Sequence, residues 1–383
     1  AIREFSLYRW NDAAQKDVPV KENDHAMDDI RYFAAHLGKD ASLALSPEQK
    51  KFFEGMLGLL REDPAPFVFY ERACGLKEEF RRSVKYFVTA GTEPLSAEDA
   101  VEFLGLAERM LDRGRLRALE LGGGIYPTYM SYEAEEFEAV TDEGKPRISH
   151  YGLPCVRIRR FRAKPLPAFL EGIAKGMEID PARAEELAAR TRESDLYDRE
   201  LGLYKTSGDI SACGPEIGRI ATFVPGWNER EACFLHMSCK YLYALLRAGQ
   251  YDAFFEAAKT NFVCYMDPEV YCRNPIENVS FIATSNHLDP EKIGQGFMPR
   301  LTGANAEMLS IWTFLMTGGR PFYLGEGGEL CFRLAPVLAG EYFDESGRAE
   351  FRLFAKTKVV YINPRRADTY RIGIAEVRAD GKP

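Results

Sequence analysis

Apolar residues recur at helical spacing along most of the chain and change to alternation near its end. The first clear run is Phe52, Phe53, Met56, Leu57, Leu59 and Leu60. It follows Ser46-Pro47-Glu48-Gln49, a capping-box start with proline in the first turn, and stops at Pro64 and Pro66. Phe67 to Tyr70 reads as a short strand. Helices are predicted at about 76–90 and 96–112, the second capped by Ser96 with Asp99 three residues on. Others follow at about 166–175 and 181–193, and from about Glu229 to Ala248 with a stop at Gly249. Two more run from Tyr251 to Thr260 and from Ala304 to Met316, the last stopped by Gly318-Gly319. From Glu329 the period is two: ELCFRLAP, AEFRLFAKTKVVYIN and TYRIGIAEVR read as strands. The pattern predicts a mainly α fold, helical from about 46 to 318, with antiparallel strands concentrated after about 328.

Two interruptions carry candidate chemistry. LGGGIYPTYMSY (Leu121 to Tyr132) is a glycine-rich turn, but it lacks the G-x-x-x-x-G-K-[ST] of a phosphate loop and reads as a tight turn into a strand. Ile148 to Phe161 reads as a strand pair with Arg157, Arg159, Arg160 and Arg162 clustered on it. These arginines could meet a sugar phosphate, and a charged solvent face is the plainer reading.

Composition narrows the function. A chain of 383 residues can bury a sizeable core. Its net charge of −8 gives no footprint for nucleic acid or an anionic membrane. No apolar run has the length of a membrane span, and no signal-peptide pattern opens the chain. The eight cysteines form no C-x-x-C pair and read as reduced thiols of a cytoplasmic protein, not as a metal site.

The densest chemistry lies between Phe223 and Gly319, where apolar helical runs alternate with loops rich in Trp, Asn, Arg, Glu and Gly. Such loops suit a sugar, which needs stacking for its ring faces and many hydrogen-bond partners for its hydroxyls. Trp227 could stack on a ring, and Arg230 and Glu231 could bind hydroxyls or phosphate. Arg273, Asn274, Glu277 and Asn278 crowd one short loop. Arg300-Leu301-Thr302-Gly303 precedes a helix whose positive end would face an anion, although a threonine–glycine pair is also an ordinary cap.

Three segments in order, Pro225 to Phe255, Arg273 to Ser285 and RLTGANAEMLSIW (Arg300 to Trp312), resemble the cellobiose phosphorylase-like enzymes of glycoside hydrolase family 94. The match covers about residues 195 to 365 and weakens upstream. The resemblance implies a partial (α/α)6 toroid over about 41–325, followed by a β-sandwich-like unit over 326–383. It implies inverting phosphorolysis of a β-linked gluco-oligosaccharide to a sugar 1-phosphate, with inorganic phosphate as co-substrate and no other cofactor. Phosphate contacts carry over to Thr302 and Gly303, with Arg300 beside them, and to His236 through a two-residue gap. Trp227, Arg230, Glu231, Arg273, Glu277 and Asn278 are the expected sugar-binding set. Such a reaction needs one carboxylic acid to protonate the leaving oxygen and no general base, because phosphate is itself the nucleophile. No carboxylate in a matching motif supplies that acid. Trp10-Asn11-Asp12 has the letters of the family motif but lies far upstream. A homodimer stays open.

Residues 1 to about 38 resemble instead the end of the nuclease domain of phage terminase large subunits, through NDHAMDDIRY. That resemblance would give Asp28 a metal-binding role, but one carboxylate cannot hold a hard divalent cation. The segment is expected to be foreign to the rest, in a chimeric or truncated gene. A non-catalytic carbohydrate-binding remnant and a DNA-packaging nuclease fragment are the rival readings of the whole chain.

Overall fold

The computed structural model describes residues 43–299 and 303–378. The terminase-like segment with Asp28 and Trp10-Asn11-Asp12 lies outside the described residues, as do Arg300 and Thr302. The chain divides into two compact units, one holding residues up to Leu116 together with Ala134–Arg160, the other Arg117–Glu133 and the chain from Phe161 onward.

In the first unit β1 (Leu43–Leu45) leads into α1 (Pro47–Glu62). The predicted capping box is formed: the Gln49 amide donates to Ser46 Oγ at 3.2 Å, and the Ser46 amide donates to Gln49 Oε1 at 2.9 Å. Next comes α2 (Pro66–Ser83), whose first turn is the segment expected to be a strand. Prolines suit the first turn of a helix as well as its end, so Pro66 starts α2 where the pattern suggested a break. A short β2 (Glu93–Leu95) pairs antiparallel with β1, and α3 (Ala97–Leu121) runs about two and a half turns beyond its expected end. The buried apolar residues are Leu57, Leu59 and Leu60 of α1 with Leu95 of β2, whereas α2 and α3 bury none. Ion pairs do the rest: Arg61 meets Asp99 at 3.0 Å and Glu102 at 2.6 Å, and Arg113 meets Asp63 at 2.6 Å. Exposed pairs of this kind contribute about 0–1 kcal/mol each.

A two-stranded ribbon of β3 (Met130–Ala139) and β6 (Val156–Pro165) supplies residues to both units, with the small pair β4 (Thr141–Asp142) and β5 (Lys145–Pro146) between them in sequence. Arg159 pairs with Glu138, Arg160 with Glu136 at 2.9 Å, and Arg162 with Glu133. The arginines are therefore solvent-exposed charges on both faces of the strand, and Arg159, Arg160 and Arg162 are matched by glutamates of the opposite strand. The ribbon also corrects the expectation that strands concentrate after residue 328.

The second unit contains the large core. Its elements are α4 (Leu170–Ile179), α5 (Ala184–Glu193), the pair β7 (Tyr197–Asp198) and β8 (Leu203–Tyr204), β9 (Cys233–Phe234), α6 (Leu235–Arg247), α7 (Tyr251–Asn261) and α8 (Pro268–Tyr271). Then follow β10 (Phe281–Ile282), β11 (Gly296–Phe297), α9 (Gly303–Thr317), the hairpin of β12 (Phe322–Leu324) and β13 (Leu330–Phe332), and the hairpin of β14 (Arg348–Leu353) and β15 (Thr357–Ile362). The hub is α6, which packs on α4, α7 and α9 and buries Tyr241, Leu242, Leu245 and Leu246. Val337, Leu338, Ala339 and Phe343 lie in the same buried cluster, so one core continues past the boundary expected near residue 326.

α6 begins at Leu235, about six residues later than its apolar pattern suggested. The preceding residues are extended, because Cys233 and Phe234 pair with Ile282 and Phe281 of β10, which in turn pairs with β11. At the C-terminal end the segment TYRIGIAEVR is no strand but a 3-10 turn, Thr369–Arg371, followed by irregular chain. Its hydrogen bonds go to the core segment instead: the Thr369 amide donates to Leu338 O at 2.9 Å and Thr369 Oγ1 donates to Pro336 O at 2.7 Å. About 43% of the described residues are helical and 19% strand, so helices and small antiparallel sheets are mixed among them. No helix among the described residues is long and apolar enough to cross a membrane.

Candidate functional site

The sheet β11-β10-β9 carries the candidate residues at its two ends. At one end the chain leaves β9 directly into α6, which puts His236 in the first turn of that helix. There it meets the start of α9. A Cβ at Gly303 would lie 2.5 Å from His236 Nδ1 and 2.8 Å from its Cγ and Cε1, so the imidazole occupies the space a side chain would need. On the other side of the ring, Nε2 lies 3.4 Å from Glu307 Oε1, one turn along α9 from Gly303. The ring is further bounded by Phe234, edge to face at 5.8 Å.

Asn278 reaches the same corner, its amide donating to Asn305 Oδ1 in the first turn of α9. Its loop neighbours serve the loop itself. Asn274 closes a turn, with Oδ1 accepting from the Ile276 amide at 3.1 Å. Arg273 Nε donates to Gly296 O at 2.8 Å, and its Nη1 lies 3.5 Å from Glu277 Oε1. The buried Tyr271 hydroxyl donates to Glu277 O at 2.7 Å, and burial pushes its phenol up to about 12. A cavity of about 180 Å³ lies on the adjoining faces of α6 and α9, with Leu235, Cys239, Val263, Ile276, Asn278 and Met308 among its lining.

The second cluster lies at the other end of β9. Trp227 and Arg230 exchange backbone hydrogen bonds of 3.2 Å across a two-residue turn, with Asn228 at φ 53°. Gly226, at φ 72°, leaves no room for a side chain, because a Cβ there would run into the backbone of Asn286 and His287. Glu231 follows at φ 57°, a region that costs a non-glycine residue energy and is held here by its neighbours. Its amide donates to Ser207 Oγ at 3.1 Å, and its carbonyl accepts from Thr284 Oγ1 at 2.6 Å.

The Glu231 side chain is 95% buried. Oε1 accepts from Asn286 Nδ2 at 2.9 Å and lies 3.9 Å from Lys205 Nζ, which donates to Asn286 Oδ1 at 3.0 Å. Oε2 lies 3.9 Å from Arg230 Nε, a buried N–H with no hydrogen-bond partner of its own. Burial holds the Glu231 carboxyl above the usual range, assisted by Asp209 and Asp195 and opposed by Lys205 and Arg230.

The expected residues thus fall into two groups. His236, Gly303 and Asn278 come together at α9, while Arg230 and Glu231 meet Lys205 and Asn286. Arg273 and Glu277 hold the loop that delivers Asn278. Trp227 is altered most from its expected role: Phe297 stacks on one face at 3.6 Å and 6°, and His287 stands at its side 5.4 Å away. At most one ring face remains for a sugar. Glu307 was missed, although its place four residues after Gly303 puts it on the same helix face. Lys205 and Asn286 carried no local signal. Comparison with known proteins gives no matching family model and no matching curated protein.

Proposed function

We propose that the second unit is a glycoside phosphorylase-like body that binds inorganic phosphate and a β-linked gluco-oligosaccharide. The observation that supports this most is the meeting of His236 with Gly303 at the start of α9, two residues carried over separately from the resemblance. The amide end of a 15-residue helix favours an anion, and the imidazole adds a directed partner beside it. Thr302 and Arg300 immediately precede that helix in sequence and complete the phosphate set. The helices of this unit are read as a portion of an (α/α)6 toroid, and the reaction as inverting phosphorolysis.

On this reading the Arg230–Glu231 pair takes a sugar hydroxyl. Among the described residues Glu231 is the one carboxyl held above its ordinary range, the property a proton donor needs. No carboxyl group is assigned as the general acid.

Calorimetric titration of the intact protein with phosphate tests the reading. Thr302→Ala is expected to weaken binding by about 1–3 kcal/mol, through loss of a charge-assisted hydrogen bond. Unchanged affinity in that variant leaves Thr302-Gly303 as a helix cap. Oligosaccharide binding with no phosphate-dependent release of sugar 1-phosphate selects the non-catalytic alternative.

A further inference from the structure

The hairpin of β12 and β13 leaves an apolar face uncovered. Its register sets Phe322 opposite Phe332 and Leu324 opposite Leu330, so these four share one face, while Tyr323 and Cys331 share the other. On that other face the Arg333 guanidinium sits over the Tyr323 ring at 5.4 Å. The apolar face continues onto Phe354, whose ring stacks on Phe322 at 5.8 Å. All five residues are between 42% and 73% exposed. At ordinary side-chain areas of about 150–250 Å² they present roughly 500 Å² of apolar surface, the size at which a patch marks an interaction site.

Phe354 is held there against local preference. The Lys356 amide donates to Leu353 O at 3.1 Å and closes a turn with Phe354 at φ 50° and Ala355 at φ 57°. Two residues at positive φ in a hairpin turn ordinarily read Asn-Gly, because a Cβ is disfavoured there. A phenylalanine in that place gains little from burial within its own chain.

The charges around the patch identify what covers it. The hairpin tip carries Glu326 and Glu329, and the segments at its base carry Arg320, Arg352 and Lys356. The neighbouring Lys358 is paired with Glu350 at 2.8 Å, whereas these five make no ion pair among the described residues. We infer that this face is the contact by which two copies of the chain pair about a two-fold axis. Such a contact must be complementary to itself. A two-fold through the apolar centre lays the acidic tip of each copy against the basic end of the other, so opposite signs meet on both sides. A sugar fits less well, because phenylalanine and leucine side chains give its hydroxyls no partner. The apolar residues form the centre and the charged ends the rim of a contact near the usual size of about 800 Å² per partner.

Sedimentation equilibrium of the full chain measures the association, and the parent is expected to form dimers. Leu324→Glu puts a charge at the centre of the contact on a side chain already exposed in one copy. It should raise the dimer Kd by about 100-fold or more and leave the far-UV circular dichroism unchanged. Glu326→Lys and Lys356→Glu each set like charges against one another and should weaken pairing about tenfold. The double reversal Glu326→Lys/Lys356→Glu restores opposite signs and should recover the parental Kd. Both positions are exposed, so that recovery reads the contact between copies and not repair of the fold. A parent that stays monomeric up to its solubility limit, a dimer unaffected by Leu324→Glu, or a double reversal no tighter than its singles overturns the inference. None of these outcomes bears on phosphate binding.

Discussion

Replacing Gly303 by alanine tests how His236 and α9 share space. The added Cβ would sit 2.5 Å from Nδ1 and 2.8 Å from two ring carbons, against an ordinary contact of about 3.5–4.0 Å. The imidazole must therefore give way by roughly 1 Å. It can, because the side chain keeps 28% of its surface exposed and its nearest approach to Glu307 is 3.4 Å. Two stability effects oppose each other. Gly→Ala in a helix contributes up to about 1 kcal/mol, less in the first turn, while overpacking a tight contact costs about 1–3 kcal/mol. The net change in unfolding free energy should stay within about 2 kcal/mol in either direction. Phosphate affinity should respond far more clearly, because the ring leaves the one position from which it reaches the start of α9. Loss of that interaction is expected to cost about 10–100-fold in Kd. Urea denaturation and phosphate calorimetry on the same preparation separate the two quantities. A Gly303→Ala protein that folds normally and binds phosphate with unchanged affinity would refute the reasoning, since the imidazole would then be no part of the site.

Leu338 is fully buried in the core built around α6, so Leu338→Ala should cost about 2–5 kcal/mol in one cooperative unfolding transition. A small loss, or a separate transition for the C-terminal residues, would mean that they form a unit of their own. Glu231→Gln should show a pH-dependent gain. Folding favours the protonated carboxyl, so its contribution is complete below the ordinary value of 4.5 and is lost as pH rises through the higher folded value. Glutamine keeps an acceptor for Asn286 without the buried charge. The variant should thus match the parent near pH 4 and exceed it increasingly toward pH 7; a pH-independent difference in urea unfolding would contradict the account.

What was legible in the sequence was local. The Ser46 box, the Ser96 cap and the stop at Gly249 each depend on residues within one turn, and each is formed or respected in the fold. The failures come from pairing at a distance. Pro64 and Pro66 punctuate a helix end and a helix start equally well, and only the packing of α1 on α2 decides between them. Cys233 and Phe234 look like the continuation of a helix until Phe281 and Ile282 are brought beside them. The same rule governs the site. Gly303 announces itself because a helix begins there. The partners of Glu231 do not, because Lys205 and Asn286 are 81 positions apart and their chemistry appears only when the chain is folded.

The spacing of the two clusters constrains what they can do together. Glu231 and His236 are separated by Ala232, the short strand β9, whose extended residues advance about 3.3 Å each, and Leu235 at the start of α6. Full extension of the three steps from Glu231 to Phe234 would cover at most about 10 Å. The segment is also stiff, since both its strand residues are paired and its backbone is tied to Thr206 through Ala232 O at 2.8 Å and the Phe234 amide at 3.1 Å. On the proposed reading, a ligand that engages both clusters would have a phosphate-contacting end at α9 and hydroxyls at Arg230 and Glu231. Phosphate at one end and a sugar chain reaching the other meet that requirement. The paired strand between the clusters fixes the distance that such a ligand has to span.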